Sequence, residues 1–318
     1  MVLIDEDASG PGGTNQMAIL ALLQSPDVEV LGITTVTGDA WRDEAVRHTL
    51  RMLELTGHTR VPVFAGANAP LVRTQEESRL AAQLYGQVTW LGAWRRPLST
   101  AMPEGEPDLR PAAEDAVHFL VRQVRAHPGQ ITIFAGGPLT NIALALAIEP
   151  RFAELTRGIV LMGGSLHPRT DDPEFATSPR HEFNFWFDPE AAHNVLRAAW
   201  PRIDVTTVDV SLQVPFTPQL LETIRRSSSP AARYVAAWSK PESYLWDELS
   251  ACSLLQPSLI TREQALYMDV DLSHGPSYGH TLTWSDELKP ATGVRKVHAQ
   301  LEVDTARFLR LLTSVLTR

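Results

Sequence analysis

The chain has a single cysteine in 318 residues, so it has no second thiol with which to form an intrachain disulfide. Cys252 stands in an apolar run, which favours a buried structural thiol in a reducing compartment over a reactive nucleophile. The sequence also has no membrane-length apolar run and no secretory leader before its first apolar segment. These absences predict a cytoplasmic protein that does not enter a membrane.

Basic residues are in the minority, with 28 Lys and Arg against 37 Asp and Glu and a formal net charge of −9. A chain with this balance lacks the general electrostatic footprint of a protein that binds nucleic acid or an anionic membrane. Neither partner is therefore expected. The composition is otherwise typical of a globular protein, and the length is ample for a buried core.

The most informative stretch is the opening of the chain. The apolar run Val2–Ile4 leads into Asp5, Glu6 and Asp7, and a glycine-rich loop and a second apolar segment follow. A short apolar run bounded by turn residues predicts a buried strand, and the later segment predicts a helix. Ligands of open parallel sheets bind just beyond the carboxyl ends of strands, where these three acids are expected.

Crowded carboxylates repel one another unless a cation lies among them, and Ca²⁺ and Mg²⁺ prefer oxygen ligands. A plain polar turn with solvated acids explains the opening equally well, with Thr14 and Asn15 starting or capping the helix. A third interpretation is a nucleotide-binding loop at Gly10–Gly13, because glycines before a helix can cradle phosphate. The adjacent acids and the missing lysine of a P-loop disfavour it.

The rest of the chain alternates apolar, β-branched runs with helical patterns, which predicts one α/β domain over residues 1–318. Its sheet should be open, mostly parallel and flanked by helices, as in Rossmann-like cores. Strands are predicted at 28–36, 61–64, 131–134, 158–164 and 203–210, with a hairpin over 267–299 that turns at 275–279. Helices are predicted at 44–55, 113–124, 142–148 and 304–316, and another starts near Trp246. Residues 74–111 mix charge, aromatics and proline without periodicity, which favours a lid or insertion.

Several of these stretches, in this order, resemble the inosine–uridine nucleoside hydrolase family, whose members cleave the N-glycosidic bond of ribonucleosides. The most specific are Gly-Gly-Pro-Leu-Thr-Asn at 136–141 and Gly-Ile-Val-Leu-Met-Gly-Gly at 158–164. Glu-Phe-Asn at 182–184, Asp-Pro-Glu at 188–190, Gly-Ile-Thr-Thr-Val at 32–36 and Trp-Asp at 246–247 also match. The resemblance extends from residue 1 to about residue 290.

The resemblance implies a bound Ca²⁺ and a nucleoside substrate that is hydrolysed to ribose and free base. The implied metal ligands are Asp7, Asn15, the backbone carbonyl of Thr140 and Asp247, with Asp7 also taking the proton of the attacking water. The residues implied to bind the substrate are Asp5, Thr14, Asp39, Met162, Glu182, Asn184 and Trp246. Contacts to the leaving base are expected from Trp186, His274 or Tyr278, and family members are commonly homodimers or homotetramers.

Two features depart from the family pattern. In the family opening, three residues separate the second aspartate from an Asp-Asp pair. Here six residues separate Asp7 from the corresponding pair, Thr14 and Asn15. Losing an acidic ligand should weaken Ca²⁺ binding. Trp246 stands in place of the histidine that protonates the leaving group in some members. The alternative function is therefore a degenerate homologue that binds a ribosyl ligand with little or no hydrolysis.

Overall fold

The computed structural model describes residues 1–241 and 243–318, and its centre is one nine-stranded sheet. The strands are β1 (Val2–Glu6), β2 (Val30–Thr35), β3 (Val63–Ala65), β4 (Thr132–Ala135), β5 (Gly158–Met162), β6 (Ile203–Thr206), β7 (Ile260–Val270), β8 (Thr281–Trp284) and β9 (Arg295–Val303). Their order across the sheet is β3-β2-β1-β4-β5-β6-β9-β7-β8. The seven strands from β3 to β9 are parallel, and β7 runs antiparallel to both β9 and β8. The predicted single α/β domain with a mostly parallel sheet is confirmed.

Helices connect the strands and cover the sheet. They are α1 (Thr14–Gln24), α2 (Arg42–Thr56), α3 (Gln75–Tyr85), α4 (Ala116–Ala126), α5 (Thr140–Ile148), α6 (Pro173–Thr177), α7 (Phe183–Phe187), α8 (Pro189–Arg197), α9 (Val208–Ser211), α10 (Pro218–Arg225), α11 (Pro230–Trp238), α12 (Trp246–Leu255) and α13 (Thr305–Leu316). Short 3-10 turns lie at Gly92–Arg95 and Pro257–Leu259. Within the described ranges, none of the helices has the length and apolarity needed to cross a bilayer.

Two apolar cores lie on the two faces of the sheet, and β1 contributes to both. Val2 and Ile4 belong to the core that contains α1, whereas Leu3 belongs to the core that contains α4 and α5. This division follows from strand geometry, because successive side chains of a strand point to opposite faces. After β1 the chain continues to β2 on one side of β1, whereas after β4 it continues to β5 on the other side. The carboxyl ends of β1 and β4 therefore form the point where the strand order reverses, which is where open α/β sheets bind ligands.

Two predicted segments differ from the structure. The strand predicted at 203–210 ends at Thr206, because the chain leaves the sheet and turns into α9. Asp209 there accepts hydrogen bonds from the backbone N–H groups of Leu166 and His167, so tertiary contacts override the β-branched pattern. Residues 74–111 are not wholly irregular either. They contain α3, whose N-terminus is capped by the Thr74 hydroxyl, which accepts a hydrogen bond from Glu77 N. Only Ser78 of α3 is buried, so the sequence has no apolar stripe from which this helix could be predicted.

Candidate functional site

The alternation of β1 side chains decides which of the opening acids face one another. Asp5 points to the α5 face, where its Oδ1 accepts hydrogen bonds from Thr34 Oγ1 (2.5 Å) and Asn141 Nδ2 (2.7 Å). Glu6 points to the opposite face, toward α1. Burial raises the pKa of Asp5 to about 6, and the two hydrogen bonds restrain that rise. Asp5 therefore supports the end of the strand without joining the other carboxylates.

Asn15, in the first turn of α1, lies at the centre of the remaining carboxylates. Its side-chain nitrogen Nδ2 is within hydrogen-bond distance of three carboxylate oxygens: Glu6 Oε2 (3.2 Å), Asp7 Oδ1 (3.0 Å) and Asp247 Oδ2 (3.2 Å). Thr14 Oγ1 also donates to Asp247 Oδ2 at 3.3 Å. An amide nitrogen has two hydrogens, so it cannot satisfy three acceptors at once. Gly13 is the N-cap residue of α1, so Asn15 serves the carboxylates and not the helix end.

These acids are poorly compensated. Burial raises the pKa of Glu6, Asp7 and Asp247 well above their usual ranges, and the charges of their acidic neighbours raise each further. Burial, followed by the charge of Asp247, does the same to Glu248. Among the described residues, Glu6 Oε1, Asp247 Oδ1 and both carboxylate oxygens of Glu248 have no hydrogen-bond partner. The carboxylate cluster is defined here as Glu6, Asp7 and Asp247 around Asn15, together with Glu248, which follows Asp247 on α12.

The chain approaches Asp7 closely from two other strand ends. Asp39 N, beyond β2, donates to Asp7 Oδ2 at 2.7 Å, and Asp39 Oδ1 accepts from Trp90 Nε1 at 2.5 Å. A methyl group at Gly38 would lie 2.1 Å from Asp7 Oδ2, and one at Gly137, beyond β4, would lie 2.9 Å from Asp7 Cβ. Both positions need glycine because the Asp7 side chain fills the space that a β-carbon would take.

A second polar group lies beyond β5. Glu182 accepts hydrogen bonds from the backbone N–H groups of Asn184 (2.8 Å), Phe185 (3.0 Å) and Gly164 (3.0 Å). Burial nevertheless raises its pKa to about 7. Asn184 Nδ2 donates to the carbonyls of Gly136 (2.9 Å) and Met162 (3.1 Å), which joins this group to the ends of β4 and β5. The charge of Glu182 also raises the pKa of Asp247, so the two groups form one site.

An open cavity of about 940 Å³ lies beside the Glu182 group, because His181 and Trp186 line it on either side of Glu182 and Asn184 in the chain, whereas Glu6, Asp7, Asp247 and Glu248 are not among its lining residues. Residues from several elements line it, including Arg73, Trp94, Glu174, His181, Trp186 and Tyr278. The guanidinium of Arg73 lies 4.8 Å from the ring centre of Trp186 and 4.1 Å from that of Tyr278. Trp90 and Trp94 belong to one segment, so the same stretch contacts Asp39 and forms part of the cavity wall. Many of the other lining residues are polar or charged, so Trp94, Trp186 and Tyr278 supply the aromatic surface on which a ligand could pack.

The model of the inosine-uridine preferring nucleoside hydrolase family matches residues 2–310. The chain belongs to this family. An inosine-uridine preferring nucleoside hydrolase from Leishmania major is 29% identical, with 100% of this chain and 97% of that protein covered. A probable uridine nucleosidase 2 from Arabidopsis thaliana is 32% identical over 82% of this chain and 79% of its own length. The solved structure of a plant nucleoside hydrolase matches with a TM-score of 0.80 and 28% identity, covering 99% of this chain and 98% of that one.

Seen as a member of the nucleoside hydrolase family, the chain brings several predicted site residues together. Asp7, Thr14, Asn15 and Asp247 share hydrogen bonds, Asp39 joins them through Asp7, and Met162, Glu182 and Asn184 meet at the end of β5. Thr140 begins α5, and its hydroxyl donates to Asp188 Oδ2 at 2.6 Å. Trp246 is half-buried against Phe175, with 6.0 Å between ring centres.

The three predicted contacts to the leaving base differ in their surroundings. Trp186 and Tyr278 are buried on the cavity wall, but Tyr278 OH already donates to Glu190 Oε1 at 2.7 Å. His274 has 55% of its side chain exposed, stacks on Tyr278 and contacts Glu77. Of the three, His274 is the most open to solvent.

Sequence reasoning did not assign Glu248, Trp90, Glu174 or His181 to the site. It placed Glu6 with Asp5 and Asp7 at the strand end but gave it no role, although strand alternation separates it from Asp5 and turns it toward the helix that carries Asn15. Glu248 follows Asp247 on α12 and is wholly buried, which its acidic character did not suggest. Trp90, Glu174 and His181 lie in segments without periodicity, and their positions depend on how those segments fold back over the sheet.

Proposed function

We propose that this protein hydrolyses the N-glycosidic bond of ribonucleosides and releases ribose and a free base. Membership of the nucleoside hydrolase family and the names of its relatives, which include nucleoside hydrolases and a probable uridine nucleosidase, support this function. The observation that carries the proposal is the convergence of Asp7, Asn15 and Asp247 on one point at the carboxyl end of β1. A cavity large enough for a base is lined by His181 and Trp186, which stand on either side of Glu182 and Asn184 in the chain.

The residues at this point fit a Ca²⁺ ion. Unpartnered carboxylate oxygens on Glu6 and Asp247, within the described part of the chain, offer hard oxygen ligands to a cation. Across residues 1–241 and 243–318, however, no three Asp, Glu, His or Cys side chains are placed ready to hold a metal ion. We infer that Asp7, Asp247, the amide oxygen of Asn15 and the carbonyl of Thr140 hold the ion together. A half-turn of the Asn15 side-chain amide would exchange its nitrogen for that oxygen, and the neighbouring hydrogen-bond partners determine which of the two atoms faces the carboxylates.

Asp7 is the proposed general base. The bound ion would supply a Lewis acid that lowers the pKa of a water molecule and orients the ribose diol. Asp7 takes the proton of the attacking water, which a carboxylate held beside the bound ion is placed to do. Asp39 N holds Asp7 Oδ2, which fixes the carboxylate in one orientation.

The ribose is proposed to lie between the carboxylate cluster and the group at the end of β5. Thr14 and Asp39 face it from one side, and Met162, Glu182 and Asn184 from the other. Residues 74–111 are proposed to act as a lid, because Trp90 in this segment bonds to Asp39 while Trp94 lines the cavity. A lid excludes water from a reaction that develops charge on the sugar.

A ligand-binding homologue with little hydrolysis remains a second candidate, and one observation favours it. The Asn15 amide already occupies the position among the carboxylates that a cation would take. Ribose release from a nucleoside panel, with and without a strong chelator, separates the two candidates when bound calcium is assayed in parallel. Chelator-sensitive release supports the hydrolase, whereas ligand binding without any ribose release supports the binding homologue.

Two further expectations stay predictions: the cytoplasmic location expected from the composition, and the homodimer or homotetramer that the family resemblance implies. Leu80, Leu84 and Tyr85 of α3 line the cavity and are exposed, Leu84 at 73%, which offers apolar area for a subunit contact. Sedimentation equilibrium of the purified protein measures the assembly directly.

Gly38→Ala is expected to lower kcat by about 10²-fold, because the added methyl group must displace the Asp7 carboxylate and small displacements of a catalytic group carry costs of that order. Steady-state hydrolysis of uridine and inosine is the measurement. Gly275→Ala is the matched control, since a methyl group there meets open space. A Gly38→Ala protein with unchanged kcat would mean that Asp7 does not act from its observed position.

A further inference from the structure

Glu174 and His181 form a polar pair on an otherwise largely aromatic part of the cavity wall. Glu174 Oε1 lies 3.5 Å from His181 Nε2, and both residues line the cavity. His181 is 2% exposed, and its Nε2 has no hydrogen-bond partner among the residues that the structure describes. A buried, unsatisfied ring nitrogen carries a free-energy cost unless a ligand or a neighbour pairs with it. With a proton on Nε2, His181 can donate to the carbonyl oxygen of a Glu174 carboxylic acid 3.5 Å away, which leaves the carboxyl O–H of Glu174 for a ligand in the cavity.

Chain neighbours connect the pair both to the proposed ribose site and to Trp246. His181 directly precedes Glu182, and the charge of Glu174 contributes to the raised pKa of Glu182. On the other side, Phe175 follows Glu174 in α6 and packs against Trp246, the residue that stands in the place of the histidine. A base attached to a ribose in the proposed site would extend along this wall, beside Trp186, whose ring centre is 5.9 Å from that of His181.

We propose that Glu174 protonates the departing base and that His181 is the positioning residue that holds the Glu174 carboxylic acid toward it. The inference rests on the proposed hydrolase function and deepens it. Glu174 supplies the acid that Trp246 cannot supply, since the indole N–H of Trp246 donates to Ser243 Oγ at 3.1 Å and has no acidic proton to transfer.

The step balances as follows. The C1′–N bond breaks and its electron pair passes to the base, while the Glu174 carboxylic proton moves to a ring nitrogen of the base. Water forms the new bond to C1′, one of its protons goes to Asp7, and the other remains on the anomeric hydroxyl. Glu174 ends as a carboxylate and Asp7 as an acid, and exchange with solvent restores both after the products leave.

The electrostatic surroundings place the proton on Glu174. Burial raises the pKa of Glu174 to about 7, and the charge of Asp172 adds to the rise. Burial lowers the pKa of His181 to about 3, with smaller contributions from His280 and Arg73. Glu182 is the other carboxyl beside the pair. Helix α3 also lines the cavity, and there Glu76 pairs with Arg79 of the same helix and Glu77 pairs with His274. A neutral acid and a neutral imidazole therefore coexist below about pH 7.

The test compares two substrates on wild-type protein and Glu174→Gln. Uridine needs a protonated leaving group, whereas p-nitrophenyl riboside releases a phenolate that leaves without a proton. We expect Glu174→Gln to lower kcat for uridine by about 10²-fold or more and to leave p-nitrophenyl riboside within about twofold of wild type. The fall of wild-type uridine activity as pH rises through about 7, where Glu174 loses its proton, should be absent from the variant.

Matched variants complete the test. Glu154→Gln, on an exposed side chain, controls for the change of charge and should match wild type. His181→Gln keeps an N–H donor for the carbonyl oxygen of Glu174 and is expected to retain most uridine activity, whereas His181→Leu removes that donor and should lose kcat without a comparable change in KM. Equal losses on both substrates, or no loss on either, would overturn the role of Glu174. A wild-type protein that hydrolyses neither substrate would overturn the proposed function itself, and this inference with it.

Discussion

Asp7→Asn is expected to lower kcat for ribonucleoside hydrolysis by about 10²–10⁴-fold, the range that a positioned general base contributes. The substitution keeps the size of the side chain and its acceptor for the N–H of Asp39. It removes the basic oxygen that is proposed to take the proton of water, and it removes one negative charge from the proposed Ca²⁺ site. Both kcat and the bound calcium measured after dialysis should therefore fall together.

The same variant should not be less stable than wild type in the presence of a chelator. Asp7 is one of several buried acids whose pKa is raised by burial and then by a neighbouring carboxylate, Asp39, so neutralising it relieves repulsion. Thermal unfolding in chelator checks this, with the exposed Asp27→Asn as the control for an unspecific effect. Retained stoichiometric calcium and near wild-type turnover in Asp7→Asn would remove Asp7 from the proposed chemistry.

Much of this architecture could be predicted from the sequence because it depends on local patterns. The β-branched runs, their alternation with helices and the acids at the end of β1 predicted a parallel sheet and the edge at which its site lies. Gly38 and Gly137 illustrate what local patterns could not predict. Their importance arises because the ends of β2 and β4 bring them against Asp7, which depends on strand order and not on neighbouring residues.

The cavity wall shows the same limit more strongly. Trp90 and Glu174 lie in segments without apolar periodicity, and each acquires its meaning from a distant partner, Asp39 for the first and His181 for the second. Tyr278 was predicted as a contact to the base from its type and its turn, yet Glu190 already engages its hydroxyl. Hydrogen-bond partners far apart in the chain decide which polar side chains remain free for a ligand.

Asn15→Asp is expected to make stability depend strongly on calcium. The substitution replaces the Asn15 amide, whose nitrogen lies within hydrogen-bond distance of Glu6, Asp7 and Asp247, with a further buried carboxylate. In chelator no cation compensates that charge. Loss of the compensating partner in a buried charged group costs about 3–5 kcal/mol, so the variant should unfold well below the wild-type temperature. With saturating Ca²⁺ the added charge becomes a ligand, and the rise in Tm should exceed that of wild type.

Asn15→Ala separates the two effects, because it removes the amide without adding a charge. It should lose stability in chelator and gain less from Ca²⁺ than either the wild type or Asn15→Asp.

The pH dependence of stability in chelator has a definite sign. Since burial raises the folded-state pKa of Glu6, Asp7 and Asp247, folding takes up protons, and stability should increase as pH falls from above those raised values toward the ordinary carboxylate range near 4. An Asn15→Asp protein with wild-type Tm in chelator would show that the amide does not hold the carboxylates together, and an unchanged calcium response would show that position 15 does not contact the ion.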